Sequence, residues 1–338
     1  MTSVSSSTIT STLAQPPTTI GLASDHITDD EPRHNTNHLD RVAYLFGHPI
    51  SHSLSPTFHQ TIYDSLSLKW SQLFHESLSI PPFLEVMRAP KFIGASVTMP
   101  HKVAIIPYLD KLTPEGAAIG AINTVFLEEM SEGRRLLVGT NTDCIGIREG
   151  IRQNISMAQY TALKGRPACI IGGGGTSRAA VYALVHWLEC KPVYFINRDA
   201  DEVATVIAEC NAAGFGEHLV PVTSAAHAQS LAKPAVIVSA IPDFPPKTDA
   251  EKEVREMIKA MMDRDSGVLL EMCYHPSSNT AVSRIATESK WQVVPGTEAM
   301  IWQGFEQAKY WTGKEVVDLP VEKVKSVIHA LLAERQGH

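Results

Sequence analysis

The stretch RPACIIGGGGTSRAAVYALVHWLEC, residues 166–190, decides the class of fold. An apolar run precedes four consecutive glycines, and a helix-like pattern rich in alanine follows them. A glycine-rich turn that follows a strand and opens a helix is the setting of a dinucleotide fingerprint, although glycines also occur in plain turns. Gly172 permits the tight turn, and Gly174 lets the backbone approach a pyrophosphate at the helix N-terminus. Although the sixth position holds Ser177 instead of glycine, the stretch predicts a dinucleotide-binding site.

Apolar runs and helical patterns continue to alternate after this stretch. Further strands are predicted from PVYFINRD (192–199), AVIVSAIP (235–242) and GVLLEMCY (267–274), and ATVIAECNAAG predicts a helix after the first of them. Strands that alternate with helices indicate a parallel sheet with right-handed crossovers. We therefore predict a doubly wound α/β fold in this half of the chain.

The chain before this half alternates in a similar way from residue 41 onward. TFHQTIYDSLSL (57–68) places three apolar residues on one helix face, and FIGASVTM (92–99) is typical of a strand. Two apolar runs that flank MSEGR predict a hairpin. TDCIGIREGIRQ (142–153) predicts a helix capped by Thr142 or Asp143. The last part of the chain predicts two amphipathic helices.

Composition and charge exclude several classes of protein. The 338 residues carry 29 Lys and Arg against 36 Asp and Glu, a formal net charge of −7, and no basic stripe, so we expect no nucleic-acid or membrane-surface partner. Five widely spaced cysteines without a CxxC pair indicate reduced thiols rather than a disulfide frame or a metal site. No apolar run is long enough to span a membrane, and the N-terminus lacks an import or secretory pattern. We expect a cytoplasmic protein without a metal.

Charged residues follow the second predicted strand of the glycine-rich half, and they bear on whether the cofactor is NAD or NADP. In a dinucleotide fold this position meets the adenosine ribose, where a carboxylate binds the 2′-hydroxyl of NAD and repels the 2′-phosphate of NADP. Asp199 and Asp201 therefore favour NAD, whereas Arg198 can pair with that phosphate. A solvated loop is the alternative for each of these residues. We expect NAD, with NADP as the alternative.

Polar residues also follow the strands of the first half. SVTMPHK ends in Lys102, GAINT contains Asn123, and GTNTD places Asp143 at a helix start. A lysine beside a carboxylate in a closed cleft can exchange a proton with an alcohol. Singly, such a lysine is usually solvated and such an aspartate is usually a helix cap. Their joint occurrence favours a catalytic site.

Eight ordered motifs resemble the signatures of the shikimate/quinate dehydrogenase family. They are GHPISHSLSPTFH, SVTMPHK, GAINT, GTNTD, GGGGTSRA, NRD, EMCYHP and AMIWQ, and the resemblance extends from residue 41 to about residue 315. It implies an N-terminal α/β substrate domain followed by a Rossmann-like, doubly wound dinucleotide-binding domain. It also implies that the substrate is a cyclic polyhydroxy acid.

The resemblance assigns roles to individual positions. It implies that Lys102 and Asp143 are catalytic and manage the proton of the reacting hydroxyl. It also implies that Ser53 and Ser55 of the H-S-x-S-P turn hold the substrate carboxylate, together with the N-terminus of the following helix. Other substrate contacts are expected from Thr98, Asn123, Tyr274 and Gln303. Cofactor contacts are expected from Gly172, Gly173, Gly174, Gly175, Thr176, Ser177, Asn197, Arg198, Asp199, Gly296 and Met300.

Composition and the resemblance together suggest domain boundaries. Residues 1–38, rich in Ser, Thr and Pro, are expected to be a disordered polar tail. Residues 39–144 are expected to form the substrate-binding catalytic domain, completed by the C-terminal helices of residues 298–338. Residues 145–297 are expected to form the NAD(P)-binding domain.

Three departures from the family pattern concern specificity. Ser96 stands where bacterial members usually have Asn, and a smaller side chain leaves room for the extra C1 hydroxyl of quinate. Asp199 stands where NADP-binding members have Thr or a basic residue. Ala299 and Met300 replace the usual Met-Leu pair, which alters the floor under the nicotinamide. Structural roles are expected for His48, Ser51, His52 and His59.

These features together predict an NAD-dependent enzyme that oxidises quinate, and also shikimate, at C3 to 3-dehydroquinate or 3-dehydroshikimate. One alternative is an NADP-dependent shikimate dehydrogenase of aromatic amino-acid biosynthesis. A second is a non-catalytic quinate-sensing module, which tends to lose the pair that Lys102 and Asp143 form here. A third is another cyclohexane-polyol dehydrogenase of secondary metabolism. Either a monomer or a homodimer is compatible with the sequence.

Overall fold

The computed structural model describes residues 35–263, 266–275 and 277–336. Most of the predicted polar tail lies outside these residues. Near residue 35, the first described residue, Lys91 Nζ donates hydrogen bonds to the backbone oxygens of Thr36, Asn37 and Leu39, at 2.9, 3.3 and 2.6 Å. This lysine therefore attaches the last residues of the predicted tail to the folded chain.

Strands and helices alternate along most of the described chain. The strands are β1 Arg41–Gly47, β2 Trp70–Glu76, β3 Phe92–Val97, β4 Lys111–Leu112, β5 Thr124–Glu129, β6 Arg135–Thr140, β7 Ala168–Ile171, β8 Val193–Ile196, β9 Leu219–Pro221, β10 Val236–Ser239, β11 Val268–Glu271 and β12 Gln292–Pro295. The helices are α1 Ser55–Ser65, α2 Pro81–Arg88, α3 His101–Ala104, α4 Pro114–Ile119, α5 Asp143–Asn154, α6 Met157–Leu163, α7 Gly175–His186, α8 Ala200–Ala212, α9 Ala225–Ser230, α10 Asp249–Met262, α11 Ala281–Glu288, α12 Gly296–Thr312 and α13 Val321–Gln336. Short 3₁₀ turns lie at Ile106–Tyr108, Ser131–Gly133 and Val316–Asp318. None of the helices in these ranges combines the length and the hydrophobicity that a membrane-spanning helix needs.

The first six strands form a mixed sheet in the order β2-β1-β3-β5-β6-β4. β1 pairs in parallel with β2 and β3, and β5 pairs antiparallel with β3 and with β6, which is the predicted hairpin. Because β1 and β3 are parallel, the chain leaves both strands at the same edge of the sheet. There the backbone N–H of His48 donates to the oxygen of Met99 at 2.9 Å. This contact brings the serine turn beside the segment that carries Lys102.

The last six strands form a parallel sheet in the order β12-β11-β10-β7-β8-β9. The strand before the glycine turn, β7, lies between β10 and β8, where the strand order reverses, and ligands bind at such switch points. Consecutive β7 residues alternate between the two cores that cover the sheet, with Ile170 in one and Ile171 in the other. The predicted α/β fold with a Rossmann-like second half is confirmed.

The C-terminal helices return to the first half of the chain. They pack on α1 in a core that includes Phe58, Phe305 and Ile328. Helix α12 also lies against α5, where a Cβ at position 146 would collide with the backbone oxygen of Ala299. Glycine at Gly146 therefore lets the two helix backbones come close. Both predicted boundaries of the NAD(P)-binding domain lie inside these two helices.

Candidate active site

A cavity of about 220 Å³ lies between the edge of the first sheet and the first turns of α7 and α12. The predicted catalytic and substrate-binding residues all line it, namely Ser53, Ser55, Thr98, Lys102, Asn123, Asp143, Tyr274 and Gln303. Three of the predicted cofactor contacts also line it, namely Thr176, Gly296 and Met300. The fold therefore brings together residues that lie far apart in the sequence.

Lys102 and Asp143 form an ion pair in this cavity. Lys102 lies on α3, just after β3, and Asp143 is the first residue of α5. The Lys102 Nζ lies 2.5 Å from Asp143 Oδ2, and the two side chains are only 17% and 12% exposed. Thr142 occupies the predicted N-cap position of α5 but makes no side-chain capping hydrogen bond, and Asn141 Oδ1 accepts the backbone N–H of Cys144 instead. The Asp143 carboxylate thus faces Lys102 and not its own helix.

Asn123 orients the polar side chains around this pair. Its Nδ2 donates to Asp143 Oδ1 at 2.8 Å and to Gln303 Oε1 at 3.2 Å. Its Oδ1 accepts the backbone N–H of Thr142 at 2.7 Å, which determines the orientation of the amide because a backbone N–H can only donate. Gln303 Nε2 donates in turn to Met300 O in α12. One amide with a determined orientation therefore positions two cavity-facing side chains.

Ser53 and Ser55 lie on the turn between β1 and α1. The backbone N–H of Ser55 donates to Ser53 Oγ at 3.2 Å, so the hydroxyl proton of Ser53 remains to donate into the cavity. Helix α1 begins at Ser55, whose N–H is committed to Ser53 Oγ, and Pro56 has no N–H, so in the first turn the N–H of Thr57 is the one that suits an anion. The turn has the donors that a carboxylate requires.

Tyr274 reaches the cavity from the loop after β11. Burial is the main cause that raises the pKa of its hydroxyl, and the charge of Asp143 raises it further, while Arg335 opposes them. The phenol is therefore neutral near pH 7. It can donate a hydrogen bond to a bound substrate.

The glycine turn between β7 and α7 fits the phosphates of a dinucleotide. Gly172 has a φ of +123°, which favours glycine, and a Cβ at Gly174 would meet nothing within 4 Å. Helix α7 has neither a side-chain cap nor an acidic residue in its first turn, so its N-terminus can bind a pyrophosphate. A Cβ at Gly175 would lie 3.4 Å from Lys102 Cδ. The turn therefore lies next to the ion pair.

Ser177, predicted to contact the cofactor, lies in the interior of the protein. It is completely buried, and its hydroxyl lies beneath Gly172 without a hydrogen-bond partner among the described residues. Ser177 therefore has no exposed surface at which a dinucleotide would contact it. Its neighbour Thr176 lines the cavity instead.

The loop after β8 lies against the glycine turn. A Cβ at Gly173 would lie 2.7 Å from Asn197 Nδ2 and 2.6 Å from Glu202 Oε2, so both side chains approach the backbone of the turn. Asp199 caps α8, because its Oδ1 accepts the backbone N–H groups of Asp201 and Glu202 at 3.0 and 3.2 Å. Asp199 is thus the N-cap of α8.

Arg198 in the same loop already has an acidic partner. Its Nη1 lies 2.5 Å from Glu251 Oε1 on α10. The backbone N–H groups of Lys247 and Thr248, with Arg198, lower the pKa of Glu251 to about 2, so this carboxylate is ionised near pH 7. The pair makes Arg198 less available to a 2′-phosphate.

Helix α12 begins at Gly296, close to the loop after β11. A Cβ at Gly296 would lie 2.5 Å from Met272 O and 2.6 Å from Glu271 O, so this approach requires glycine. The approach places Met300, one turn further along α12, on the cavity wall. Both positions therefore suit the cofactor contacts expected of them.

Glu271 is a buried carboxyl group beneath this approach, 2% exposed. Its Oε1 accepts the backbone N–H of Cys273 at 3.1 Å, and its Oε2 accepts the hydroxyl of Thr280 at 3.0 Å. Burial nevertheless raises the pKa of Glu271 to about 7. The folded protein therefore favours the protonated form.

We expect Glu271→Gln to change how stability depends on pH. The stabilising contribution of a carboxyl with a raised pKa is complete below its unfolded value of 4.5 and is lost as the pH rises through 7, by up to about 3 kcal/mol. Thermal unfolding of both proteins at pH 5 to 8 measures this. The melting temperature of the variant should gain on that of the wild type as the pH rises. A difference that does not change with pH would contradict the assignment.

Two polar residues of the wall, Gln307 and His52, have no predicted role in binding or catalysis. Gln307 lines the cavity from α12, one turn after Gln303, a spacing that places both on the same helix face. His52, expected to be structural, also lines the cavity and stacks on His275 with ring centroids 4.5 Å apart. Burial is the main cause that lowers the pKa of His52.

Comparison with known proteins identifies relatives of this chain. The family model of the shikimate dehydrogenase substrate binding domain matches residues 45–125. A quinate dehydrogenase from Emericella nidulans is 46% identical over 315 residues, which cover 88% of this chain and 95% of that protein. The similarity therefore extends well beyond the substrate domain.

Solved structures share this fold. A shikimate 5-dehydrogenase from Listeria monocytogenes in complex with shikimate and NAD is 25% identical, with a TM-score of 0.70, over 87% of this chain and 97% of that one. One from Thermus thermophilus in complex with NADP(H) and shikimate is 27% identical, with a TM-score of 0.66, over 85% and 97%. A dehydroquinate dehydratase and shikimate dehydrogenase from S. pombe is 29% identical, with a TM-score of 0.68, and matches 84% of this chain but only 52% of its own length. On this evidence the chain belongs to the shikimate/quinate dehydrogenase family, a family of oxidoreductases that act on CH–OH groups.

Proposed function

We propose that this protein is an NAD-dependent dehydrogenase that oxidises quinate, and also shikimate, at C3. The observation that carries the proposal is the ion pair of Lys102 and Asp143 on the cavity wall, next to the glycine turn. The identity to a quinate dehydrogenase supports a cyclic polyhydroxy acid as the substrate. The product would be 3-dehydroquinate or 3-dehydroshikimate.

Lys102 and Asp143 act on the proton of the reacting hydroxyl. When an alcohol is oxidised to a ketone, carbon loses a hydride and oxygen loses a proton, and a bound dinucleotide supplies the hydride acceptor. An amine and a carboxylate 2.5 Å apart form one proton-exchanging unit. Asn123 holds that unit in place through Asp143 Oδ1.

The remaining wall residues position the substrate. We propose that the serine turn and the N-terminus of α1 bind the end of the ring that carries the carboxylate. The ring hydroxyls contact Thr98, Asn123, Tyr274 and Gln303. We also propose that residues 39–144 and 298–338 together form the substrate domain, and that residues 145–297 bind the dinucleotide.

Two observations favour NAD over NADP. Asp199 belongs to the same loop as Asn197, which contacts the glycine turn, and Glu251 already pairs with Arg198. The presence of Arg198 in this loop is the observation that favours the NADP alternative, and similar structures hold either cofactor. We propose the cytoplasm as the compartment, because all five cysteines are unpaired.

A matrix of quinate or shikimate with NAD or NADP tests the function. Turnover is followed by the absorbance of the reduced nicotinamide. We expect the highest kcat/KM with quinate and NAD. A higher value with shikimate and NADP would favour the biosynthetic alternative. Binding of quinate without turnover in any combination would favour the sensing module.

Ser53→Ala should raise KM for quinate and for shikimate alike, with little change in kcat. A lost charge-assisted hydrogen bond to the carboxylate common to both costs roughly 1–2 kcal/mol, or roughly 5- to 30-fold in KM. KM for NAD is measured in parallel and should be unchanged. An increase in KM for NAD instead would place the turn at the cofactor and reverse the two domains.

A further inference from the structure

A chain of buried hydrogen bonds runs beneath the cavity from α12 toward Ser55. It starts at Gln307, whose Nε2 donates to Thr124 Oγ1 at 2.9 Å and to Asn123 O at 3.3 Å. A carbonyl oxygen can only accept, so Asn123 O determines the orientation of this amide. Gln307 Oε1 consequently faces Ser96, whose hydroxyl donates to it at 2.9 Å.

The imidazole of His59 is consistent with Gln307 Oε1 acting as an acceptor. His59 Nε2 lies 3.3 Å from Gln307 Oε1. Burial lowers the pKa of His59 to about 3, so the ring is neutral, and an Nε2–H can donate to that oxygen. Gln307 Oε1 is therefore an acceptor for both neighbours.

Gln72 on β2 continues the chain in the same direction. Its Nε2 donates to Ser96 Oγ at 2.9 Å and to Tyr44 O at 3.4 Å. Ser96 accepts this bond because its single proton is committed to Gln307, and the carbonyl of Tyr44 requires the same amide orientation. Gln72 Oε1 therefore faces Ser55 and accepts its hydroxyl proton at 2.8 Å.

The two serines of the turn therefore present opposite polarity to the cavity. A serine hydroxyl has one proton to donate and two lone pairs that accept. The proton of Ser55 is committed to Gln72, so Ser55 can only accept a hydrogen bond from a substrate. Ser53 accepts the backbone N–H of Ser55 and has its proton left to donate. A carboxylate therefore suits Ser53, whereas a hydroxyl suits Ser55, for which the resemblance implied a carboxylate contact as well.

We propose that Ser55 recognises a hydroxyl group of the substrate and that Gln72 gives it this selectivity. The inference rests on the proposed function. If Ser53 holds the carboxylate, the substrate donor nearest to Ser55 is a hydroxyl on the carbon that bears the carboxylate. Quinate has this C1 hydroxyl and shikimate does not. Ser55 is then a specificity-determining residue, and Gln72 is a positioning residue that acts through it.

Two single variants, measured with quinate and with shikimate, test the proposal. Ser55→Ala should lower kcat/KM for quinate about 5- to 10-fold, mainly through KM, and change that for shikimate by less than about twofold. Gln72→Met replaces the side chain with one of similar size that lacks the acceptor oxygen, and it frees the Ser55 proton. The ratio of kcat/KM for quinate to kcat/KM for shikimate should therefore fall by a similar factor. Ser53→Ala is the matched control, since it should affect both substrates equally.

A double variant separates positioning from structural damage. If Gln72 acts through Ser55, the double variant Ser55→Ala with Gln72→Met should have the same quinate-to-shikimate ratio of kcat/KM as Ser55→Ala alone. Damage to the core would instead lower the melting temperature and the kcat/KM for both substrates together. Calorimetric Kd values for the same proteins give the ratio independently of turnover.

Equal losses for quinate and shikimate in Ser55→Ala would overturn the inference and leave the proposed function intact. A further fall of the ratio in the double variant would overturn the role of Gln72. A wild-type protein that oxidises neither substrate would overturn the proposed function, and the Kd ratio would then still decide whether Ser55 reads the hydroxyl.

Discussion

Lys102→Ala should lower kcat on the order of 10²- to 10⁴-fold while the protein stays folded. The substitution removes the amine that lies 2.5 Å from Asp143 and leaves that carboxylate without its cation. The backbone oxygen of Lys102, which accepts the N–H of Ile122 at 2.6 Å, remains in place, so we expect the local fold to persist. The measurement is kcat with saturating quinate and NAD, together with the melting temperature.

Lys111→Ala is the matched control. Lys111 lies in the same half of the chain and pairs with Glu128 at 2.8 Å, but both side chains are exposed. Removing an exposed lysine of this kind should leave kcat within about twofold of the wild type. Near-normal kcat in Lys102→Ala would remove Lys102 from the mechanism.

NAD should be preferred over NADP by roughly 5- to 150-fold in kcat/KM, and Asp199→Thr with Asp201→Arg should shift the preference toward NADP. The carboxylate of Asp199 can accept from a ribose 2′-hydroxyl but repels a 2′-phosphate. Threonine keeps an oxygen for the α8 cap that Asp199 provides, so the double variant changes charge with little loss of the helix start. The measurement is kcat/KM with each cofactor at saturating quinate.

Glu251→Gln is an informative companion variant. It releases Arg198 from its ion pair without changing the acids of the loop. Because the Arg198 side chain is 67% exposed, the pair is weak, and we expect a shift toward NADP of only about two- to fivefold. A clear preference of the wild type for NADP would contradict the role of Asp199 and would favour the alternative, an NADP-dependent shikimate dehydrogenase.

Local patterns were sufficient to predict much of this fold. The four glycines from Gly172 to Gly175 mark a strand, a turn and a helix, and the positive φ of Gly172 is a conformation that other residues rarely adopt. The hairpin of β5 and β6 and the two C-terminal helices follow from short-range periodicity. The strands β2, β4, β9 and β12 were not predicted. β4 and β9 span only two and three residues, and such short strands depend on pairing with neighbours distant in sequence.

In the candidate site, too, some features could be predicted from the sequence and others depend on the tertiary structure. Motifs along the chain identified Lys102 and Asp143, but only the packed structure brings their side chains to 2.5 Å and directs the N–H of Cys144 to Asn141 Oδ1. The packed structure also buries Ser177 and connects Gln72 through Ser96 to Gln307, and no periodicity in the sequence indicates either result. A pattern along the chain reports which face of an element a residue occupies. The direction of a buried hydrogen bond depends on which donors and acceptors from distant segments meet there, and packing alone determines that.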